Sequence, residues 1–403
     1  MSEIKKIGII TSGGDCGGLN AVITGAVRMA HHHGVEACII PNGYAGLYNL
    51  NNFVPPVITF GKVDRIYSGV AGSEAGHSRV KISKIQDPNK YEVIKSGLKK
   101  HNIDGLVIAG GDDTGSVVVD LISQGIPCVH VPKTMDLDLQ TYSVGGDSTI
   151  NRIAKFTRDL RTTGFTHNRA LIVEVFGRYA GHTAFRGGIG ADADCVLIPE
   201  IEVDYKVVYE HFKKTYIERL LTSDVKGSTY IIVAAEGLKN KSGEYFTDSN
   251  SGKDSFGHQK LTGGAAYIRK QLESYMKDDP DWPAFLKKEG IFVENIYSMP
   301  EIREIPLGHL VRAGETTAYD VTFGKQGGGA AVLLLKQGIY GVTVVGVEHN
   351  VVSYIPTKEA IKQRYVDINE VGYYEALGMC FGREPLEFTP KFKEHKGEIH
   401  RYM

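Results

Sequence analysis

Two stretches of this sequence place acidic, basic and hydroxyl side chains directly after apolar runs. One apolar run, at 105–109, leads into Gly-Gly-Asp-Asp-Thr, and the other, at 127–131, leads into Pro-Lys-Thr-Met-Asp-Leu-Asp. A buried strand that passes through a Gly-rich turn into a helix surrounds phosphate with backbone N–H groups and a helix N-terminus. The first stretch therefore predicts a phosphate-binding turn.

The two strands predicted from these runs are separated by a segment of helix length. Parallel strands joined in this way bring their C-terminal ends to one edge of the sheet, where α/β proteins bind ligands. The side chains that would converge there are Asp112, Asp113, Asp136, Asp138 and Lys133. Mg²⁺ held by one or two carboxylates and by phosphate oxygens is the usual cation at such a site. The pattern predicts phosphoryl transfer, with a spare carboxylate to accept a proton.

Simpler roles account for only part of this acidic pattern. Aspartate is a favoured helix N-cap residue, but one cap explains either Asp112 or Asp113, not both. Asp136 and Asp138 are two positions apart, so in an extended segment both side chains lie on one face. The sequence has no GxxxxGK[ST] motif and no GxGxxG motif after its first predicted strand. The P-loop class is therefore excluded, and the dinucleotide-binding fingerprint is missing.

The second half of the chain supplies basic groups near predicted strand ends and loops. These residues are Arg169, Arg178, Arg303, His309 and Arg312, and Glu236 lies at another strand end. A single arginine is more often a solvated surface residue. Five basic groups with one carboxylate instead fit a sugar phosphate, held by its phosphate and its hydroxyls.

Composition and charge exclude several classes of protein. The formal net charge of −1 gives no overall electrostatic attraction to nucleic acid or to an anionic membrane. No apolar run approaches the ~20 residues that a membrane helix needs, and the first apolar run is too short for a signal-peptide core. The five cysteines are scattered without a CxxC pair. We therefore expect reduced thiols, a cytoplasmic location, and neither nucleic-acid nor membrane partners.

The order of predicted elements indicates an α/β protein with two doubly wound, Rossmann-like domains and a cleft between them. The chain length of 403 residues also favours two or three domains. We expect residues 1–147 with about 313–360 to bind the phosphoryl donor and Mg²⁺. Residues 148–312 with about 361–403 would bind the sugar phosphate.

Three local features are predicted within the second domain. The first is a helix at about 149–162, closed by Thr163 and Gly164. The second is a polar, Gly/Ser-rich surface insertion at 239–259. The third is an irregular segment at 278–290, which follows a helix predicted at 261–277.

Several of these stretches together resemble the phosphofructokinase family, and more closely its pyrophosphate-dependent or mixed-substrate branch. The matching stretches are TSGGD at 11–15, GLN at 18–20, NGYAGLY at 42–48, GGDDT at 110–114, PKTMDLD at 132–138, EVFGRYAGH at 174–182, DSFGH at 254–258 and LGHLVRAG at 307–314. They occur in the family's order and cover most of the chain. The departures are Cys16-Gly17 for Ala-Pro, Leu137 for Asn, and Phe176 for Met.

The resemblance implies roles on the donor side of the site. Gly14, Arg79 and Thr114 would meet the phosphoryl donor, and Asp112 would hold Mg²⁺. Relatives that use ATP carry glycine at the positions of Asp113 and Lys133. An aspartate at 113 puts a carboxylate where the α-phosphate of ATP would lie, which is a costly contact between like charges. Lys133 would supply positive charge near the transferred group. We therefore predict pyrophosphate as the donor.

The resemblance also implies roles on the acceptor side. Asp136 would take the proton from the 1-hydroxyl of fructose 6-phosphate. The remaining sugar-side residues would be Thr134, Met135, Phe176, Gly177, Arg178, Glu236, Arg303, His309 and Arg312. Arg169 and one of the other basic residues would serve a neighbouring subunit, which implies a homodimer or homotetramer with shared sites.

The predicted reaction is a reversible, Mg²⁺-dependent phosphoryl transfer from diphosphate to fructose 6-phosphate, giving fructose 1,6-bisphosphate. Two alternatives within enzymes are an ATP-dependent kinase and a pyrophosphate-dependent kinase for another sugar phosphate or a polyol. A third alternative is a catalytically silent ligand sensor on the same fold. The presence of Asp112, Asp136 and Arg178 disfavours the sensor.

Overall fold

The computed structural model describes residues 3–240, 242–247, 261–394 and 396. The DSFGH stretch at 254–258 lies outside the described residues, and so does most of the surface insertion predicted at 239–259. The last part of the predicted second domain, 397–403, also lies outside them.

Ten strands and thirteen α-helices are described. The strands are β1 (Lys6–Thr11), β2 (Glu36–Ile39), β3 (Gly105–Gly110), β4 (Cys128–Pro132), β5 (Arg169–Val175), β6 (Cys195–Leu197), β7 (Tyr230–Ala235), β8 (Glu301–Pro306), β9 (Val342–Glu348) and β10 (Val351–Pro356). The helices are α1 (Leu19–His32), α2 (Gly43–Tyr48), α3 (Phe60–Val63), α4 (Lys90–Lys100), α5 (Asp112–Ser123), α6 (Gly146–Thr166), α7 (His182–Gly190), α8 (Tyr205–Thr222), α9 (Gly264–Asp278), α10 (Asp281–Lys288), α11 (Ala318–Lys336), α12 (Thr357–Ala360) and α13 (Ile368–Ala376).

The strands form two sheets, which confirms the predicted α/β class. The order in the first sheet is β10-β9-β4-β3-β1-β2, and the order in the second is β6-β7-β5-β8. All pairs are parallel except β9 with β10. Every residue of β3 and β4 is buried, which is why these strands read as unbroken apolar runs in the sequence.

The strand register brings the chemically equipped stretches to one sheet edge. Gly110 at the end of β3 is the register partner of Pro132 at the end of β4. Asp112 therefore begins α5 beside the segment that starts at Lys133. In the second sheet, β5 ends at Val175 opposite Ala235 of β7, so that the next residues of both strands share an edge.

Some predicted elements differ from the structure. Helix α6 continues to Thr166 instead of closing at Gly164. A Cβ on Gly164 would lie 2.3 Å from Oγ1 of Thr229, so this glycine permits close helix–strand packing and does not end the helix. The segment at 278–290 was wrongly predicted as irregular, because it contains α10, whose Trp282 is fully buried.

Two edge strands, β8 and β10, have no clear signature in the sequence. Strand β8 reads Glu-Ile-Arg-Glu-Ile-Pro, and Ile302 is its only buried residue. An edge strand presents much of its surface to solvent, so charged residues interrupt the apolar pattern that identifies central strands.

A buried carboxylate on α11 connects this helix to the residues at the start of α6. Asp320 is fully buried and accepts hydrogen bonds from the amides of Gly145 and Ser148 at 2.8 and 2.7 Å. It also accepts from Oγ of Ser148 at 2.6 Å and from the hydroxyl of Tyr142 at 2.7 Å. This carboxylate therefore caps the start of α6 from another helix.

Replacing Asp320 by alanine is expected to lower the free energy of unfolding by roughly 3 kcal/mol or more, because several buried donors lose their acceptor. Tyr142→Phe removes one of these hydrogen bonds and should cost about 1 kcal/mol. Urea denaturation of both variants measures the difference. A smaller loss for Asp320→Ala than for Tyr142→Phe would contradict this role.

The thiols and the helices show two further features of the chain. All five cysteines are free thiols, as predicted, and all five are buried. Across the described part of the chain, no helix combines the length and the apolar character needed to cross a membrane.

Candidate active site

A cavity of about 420 Å³ lies between the facing edges of the two sheets. Its lining comes from Gly13, Gly14, Arg79, Gly111, Asp112, Asp113, Thr114, Lys133, Thr134, Met135, Asp136, Asp138, Phe176, Arg178, Tyr179, Glu236, Leu261, His309 and Arg312. The first sheet and its connections contribute most of the carboxylates, the lysine and Arg79, and the second side contributes Arg178, Arg312 and the histidine.

The turn after β1 is held by two side chains that contact its carbonyl oxygens. Nδ1 of His77 lies 2.9 Å from the carbonyl oxygen of Gly13, and Nζ of Lys133 donates to the carbonyl oxygen of Gly14. The C=O and N–H of a trans peptide point in opposite directions. The amides of Gly14 and Asp15 therefore point away from His77 and Lys133, as in backbone turns that bind anions.

Lys133 is buried, with 3 % of its surface exposed. Burial lowers the pKa of its amine, and the nearby Arg312 lowers it further, whereas Asp15 and Asp136 raise it. The amine of Lys133 therefore lies beside acidic groups in a region of low solvent access, where electrostatic interactions are strong.

Asp112 and Asp113 begin α5, where the helix dipole favours negative charge. The carboxylate of Asp113 accepts an ion-paired hydrogen bond from Nζ of Lys81 at 3.2 Å, and both side chains are about one-quarter exposed. Lys81 was missed by the sequence analysis. Its two-residue spacing from Arg79 would have placed both side chains on one side of an extended segment.

Asp136 lines the cavity and has a buried carboxylate oxygen. Its Oδ1 is buried and has no hydrogen-bond partner within the described residues. Burial raises the pKa of this carboxyl, and the like charge of Asp112 raises it further, whereas Arg312, Arg178 and Lys133 lower it. An oriented carboxylate with a raised pKa and an unused oxygen is suited to accept a proton.

The pKa of the neighbouring carboxyl, Asp138, is also raised. Burial and the charge of Asp136 raise it to about 6. Oδ1 of Asp138 accepts from the hydroxyl of Thr134 at 3.3 Å, and Oδ2 accepts from Gln363 at 3.2 Å. Asp138 is therefore tied to its surroundings, in contrast to Oδ1 of Asp136.

The second sheet lines the other side of the cavity with aromatic and cationic groups. The guanidinium carbon of Arg312 lies 4.7 Å from the ring centre of Phe176, and the ring of His309 meets the same phenyl edge-on at 5.7 Å. Arg312 also donates to the carbonyl oxygen of Asp15 at 3.1 Å. It therefore bridges the sugar side predicted from the sequence and the turn predicted to bind the donor.

Glu236 follows β7 and faces the same cavity. Burial raises the pKa of its carboxyl to about 8, with a further contribution from the charge of Asp136, while Arg178 and Arg312 lower it. The folded protein therefore holds Glu236 protonated near neutral pH, so it can donate as well as accept hydrogen bonds.

Glu236→Gln is expected to stabilise the protein more at pH 8 than at pH 5. The unfolded carboxyl ionises near its ordinary pKa of 4.5, whereas the folded one does so near 8. Through this window the folded state holds a proton that the unfolded state has lost, so wild-type stability falls as the pH rises. Thermal unfolding of the variant at both pH values measures the effect. The exposed Glu210→Gln is the control, and an equal gain at both pH values for Glu236→Gln would contradict the shift.

The structure gathers most of the predicted site residues around this cavity. Those that line it are Gly14, Arg79, Asp112, Asp113, Thr114, Lys133, Thr134, Met135, Asp136, Phe176, Arg178, Glu236, His309 and Arg312. Gly177, Arg169 and Arg303 are absent from its lining. Gly177 is adjacent to it in the chain, between Phe176 and Arg178.

Arg169 and Arg303 lie toward the other end of the second sheet. Arg169 is the first residue of β5, its register partner is Glu301 of β8, and both arginines form ion pairs with Glu301. A parallel strand starts at the edge opposite the one where it ends. Three of the five predicted basic groups, Arg178, His309 and Arg312, thus line one cavity. A role in a neighbouring subunit for Arg169 and for one of the other basic residues stays a prediction.

The carboxylates fit Mg²⁺ bound together with phosphate better than a metal held by protein alone. Among the described residues, no three or more His, Cys, Asp or Glu side chains are grouped to hold a metal ion. Mg²⁺ commonly takes one or two carboxylates and completes its shell with water and substrate phosphates. Asp112 at the cavity wall suits that arrangement and would be the protein's ligand to Mg²⁺.

The fold and the cavity together define a two-sheet α/β protein equipped for phosphoryl transfer. Comparison with known proteins agrees, because the sequence profile of the Phosphofructokinase family matches residues 6–335. This chain belongs to the phosphofructokinase family.

Individual relatives differ in the donor that their names state. The chain is 30 % identical over 386 residues to a pyrophosphate–fructose 6-phosphate 1-phosphotransferase of Dictyoglomus thermophilum, covering 95 % of this chain and 100 % of that protein. It is 36 % identical over 375 residues to an ATP-dependent 6-phosphofructokinase 2 of Clostridium perfringens, covering 88 % and 91 %.

Solved structures show the same fold. A pyrophosphate-dependent phosphofructokinase from Marinobacter aquaeolei superposes with a TM-score of 0.68 at 18 % identity, covering 97 % of this chain and 99 % of that chain. The predicted family is thus confirmed, while its pyrophosphate-dependent and ATP-dependent branches match at similar identity.

Proposed function

We propose that this protein transfers a phosphoryl group from inorganic pyrophosphate to the 1-hydroxyl of fructose 6-phosphate, with Mg²⁺. The observation that carries the proposal is the pair Asp113 and Lys133 in one cavity with Asp112 and Asp136. An acidic group and a buried cation stand where the resemblance puts glycines in relatives that use ATP.

Charged side chains at two positions of the cavity favour pyrophosphate as the donor. Asp113 is the second residue of α5, and its carboxylate pairs with Lys81. The cavity wall therefore carries side chains here instead of the open backbone that glycine would give. Lys133 is buried against the Gly13–Gly14 turn and places one positive charge near the transferred group. A loose phosphoryl transition state needs such fixed positive charge.

The acceptor chemistry is assigned to Asp136. Its unpartnered Oδ1 would accept the proton of the sugar 1-hydroxyl as that oxygen attacks the donor phosphorus. Arg178, Arg312 and His309, across the cavity, would orient the sugar phosphate. Mg²⁺ bound through Asp112 would neutralise charge on the donor oxygens during transfer.

The arrangement of domains and subunits follows from the same proposal. The donor domain would comprise 1–147 with about 313–360, and the sugar domain 148–312 with about 361–403. Arg169 and Arg303 would complete the sugar-phosphate site of a neighbouring subunit in a homodimer or homotetramer. Their shared pairing with Glu301 keeps the two guanidinium groups together at one surface.

ATP as the donor is the second candidate. The 36 % identity to an ATP-dependent relative favours it. The two candidates differ at the donor end of the cavity and share the sugar end.

A panel that crosses pyrophosphate and ATP with fructose 6-phosphate and several other phosphosugars tests the proposal. We expect Mg²⁺-dependent turnover with pyrophosphate and fructose 6-phosphate, and little turnover with ATP. Strong turnover with ATP and none with pyrophosphate would overturn the donor. Turnover with another phosphosugar alone would overturn the acceptor.

A further inference from the structure

The loop that carries Asp136 and Asp138 has an unusual backbone at the residue between them. Leu137 has a φ of +57°, in the left-handed region that L residues with a bulky side chain rarely adopt. The resemblance places asparagine here, and asparagine tolerates this region far better than leucine. The conformation of this loop therefore needs support from outside it.

Part of that support is packing by the Leu137 side chain. Leu137 is buried, with 4 % of its surface exposed. A Cβ on Gly146 would lie 2.1 Å from a terminal methyl of Leu137, so the glycine at the start of α6 makes room for this side chain. The leucine is thus accommodated by the fold, although its backbone conformation is strained.

The rest of the support comes from residues 360–366, which we call the clamp segment. Nη2 of Arg364 donates to the carbonyl oxygen of Leu137 at 2.7 Å, and the Arg364 amide donates to the carbonyl oxygen of Asp138 at 2.8 Å. Nε2 of Gln363 donates to Oδ2 of Asp138 at 3.2 Å. The clamp segment therefore holds both the strained peptide and one of the two carboxylates.

The clamp segment is also fixed to the other side of the cavity. Nε2 of His182 lies 3.2 Å from the carbonyl oxygen of Arg364, and the Val366 amide donates to Glu200 at 2.9 Å. Glu200 in turn accepts from the amide of Gly181, in the loop that follows Arg178. One short segment thus contacts the loop that carries the predicted base directly and, through Glu200, the loop that carries a predicted sugar ligand.

We propose that Gln363 and Arg364 are positioning residues, which hold the Asp136–Asp138 loop in its productive conformation because Leu137 cannot hold it alone. The clamp segment lies beyond residues 6–335, the region that matches the family profile. The proposal rests on the function proposed above, since that function gives Asp136 its role as the base.

Arg364→Met and Gln363→Met test this proposal, with the exposed Lys362→Met as the matched control because Lys362 pairs with Glu359 of its own turn. We expect Arg364→Met to lower kcat by about 10²-fold, as for a misplacement of about 1 Å. Gln363→Met should lower kcat less. The KM values of both substrates should change little, and so should the thermal midpoint.

Leu137→Asn provides the rescue. Because asparagine accepts the left-handed conformation, Arg364→Met should cost about tenfold less in kcat in the Leu137→Asn background than in wild type. An equal cost in both backgrounds, or a kcat for Arg364→Met equal to that of Lys362→Met, would overturn the proposal.

Amide hydrogen exchange of the substrate-free protein separates this proposal from the proposed function. Arg364→Met should speed exchange in peptides covering 134–140, while Lys362→Met leaves them unchanged. Unchanged exchange in Arg364→Met would overturn the clamp whatever the substrates are. Faster exchange in a protein that does not turn over fructose 6-phosphate would support the clamp and count against the function.

Discussion

Replacing Asp136 by asparagine is expected to lower kcat by about 10³-fold in both the forward and the reverse reaction. General-base catalysis contributes roughly 10²–10⁴-fold, and asparagine keeps the shape of the side chain but cannot accept the hydroxyl proton. Oδ1 of Asp136 is buried and has no hydrogen-bond partner among the described residues. This oxygen is therefore available to accept the proton of the sugar hydroxyl. Steady-state rates at saturating substrates give the comparison.

The KM for the sugar phosphate distinguishes loss of the catalytic base from disruption of the sugar-phosphate binding site. Because Arg178, His309 and Arg312 remain in place, the KM of Asp136→Asn should stay within about threefold of wild type. Asp120→Asn, on α5 and outside the cavity lining, is the control with full turnover. A kcat for Asp136→Asn within tenfold of wild type would remove Asp136 as the base, whereas the absence of turnover in the wild-type protein would favour the ligand-sensor alternative.

Converting Asp113 and Lys133 together to glycine is expected to raise the preference for ATP over pyrophosphate by at least about 10²-fold. Loss of the Lys133 charge should cost pyrophosphate turnover about 10²–10³-fold, the usual effect of removing one preorganised electrostatic group. Loss of the Asp113 carboxylate removes the repulsion of a nucleotide α-phosphate. The ratio of kcat/KM for the two donors measures the change.

The two single variants separate the effect of the Asp113 side chain on ATP binding from the effect of the Lys133 charge on phosphoryl transfer. Asp113→Gly alone should admit ATP weakly while keeping pyrophosphate turnover, whereas Lys133→Gly alone should lose pyrophosphate turnover without gaining ATP. Since Lys133 is buried, the thermal midpoint of each variant must be measured as well. An unchanged donor ratio in the folded double variant would remove these two residues as the discriminator.

The sequence predicts the centre of this molecule well for a physical reason. Strands β3 and β4 are buried on both faces, so they read as unbroken apolar runs, and the residues that follow them must share a sheet edge. Asp112, Lys133 and Asp136 therefore meet in one cavity, as their positions predict.

Elements at the periphery carry weaker signals. Strand β8 has one buried residue, and β10 has none, so neither shows the apolar pattern of a strand. Helix α10 is only eight residues long and begins within a stretch rich in aspartate and proline at 278–283, a composition that is typical of irregular segments.

Two kinds of site residue also escape sequence reasoning. His77 contributes through one contact with a backbone carbonyl oxygen, and a contact of this kind has no residue spacing to reveal it. Gln363 and Arg364 reach Asp138 and Leu137 from more than 220 positions away in the chain. Arg169 and Arg303 are predicted site residues that do not line the cavity. Their nearness to a predicted strand end does not reveal which end of the strand faces the cavity.

Running the reaction backwards tests the central claim most directly. Purified protein is supplied with fructose 1,6-bisphosphate, Mg²⁺ and inorganic phosphate, or with ADP in place of phosphate, and the phosphorus products are followed by NMR. We expect pyrophosphate and fructose 6-phosphate to form in the first mixture, since the donor end accommodates a bare phosphate. Formation of ATP in the second mixture, with no pyrophosphate in the first, would contradict the account.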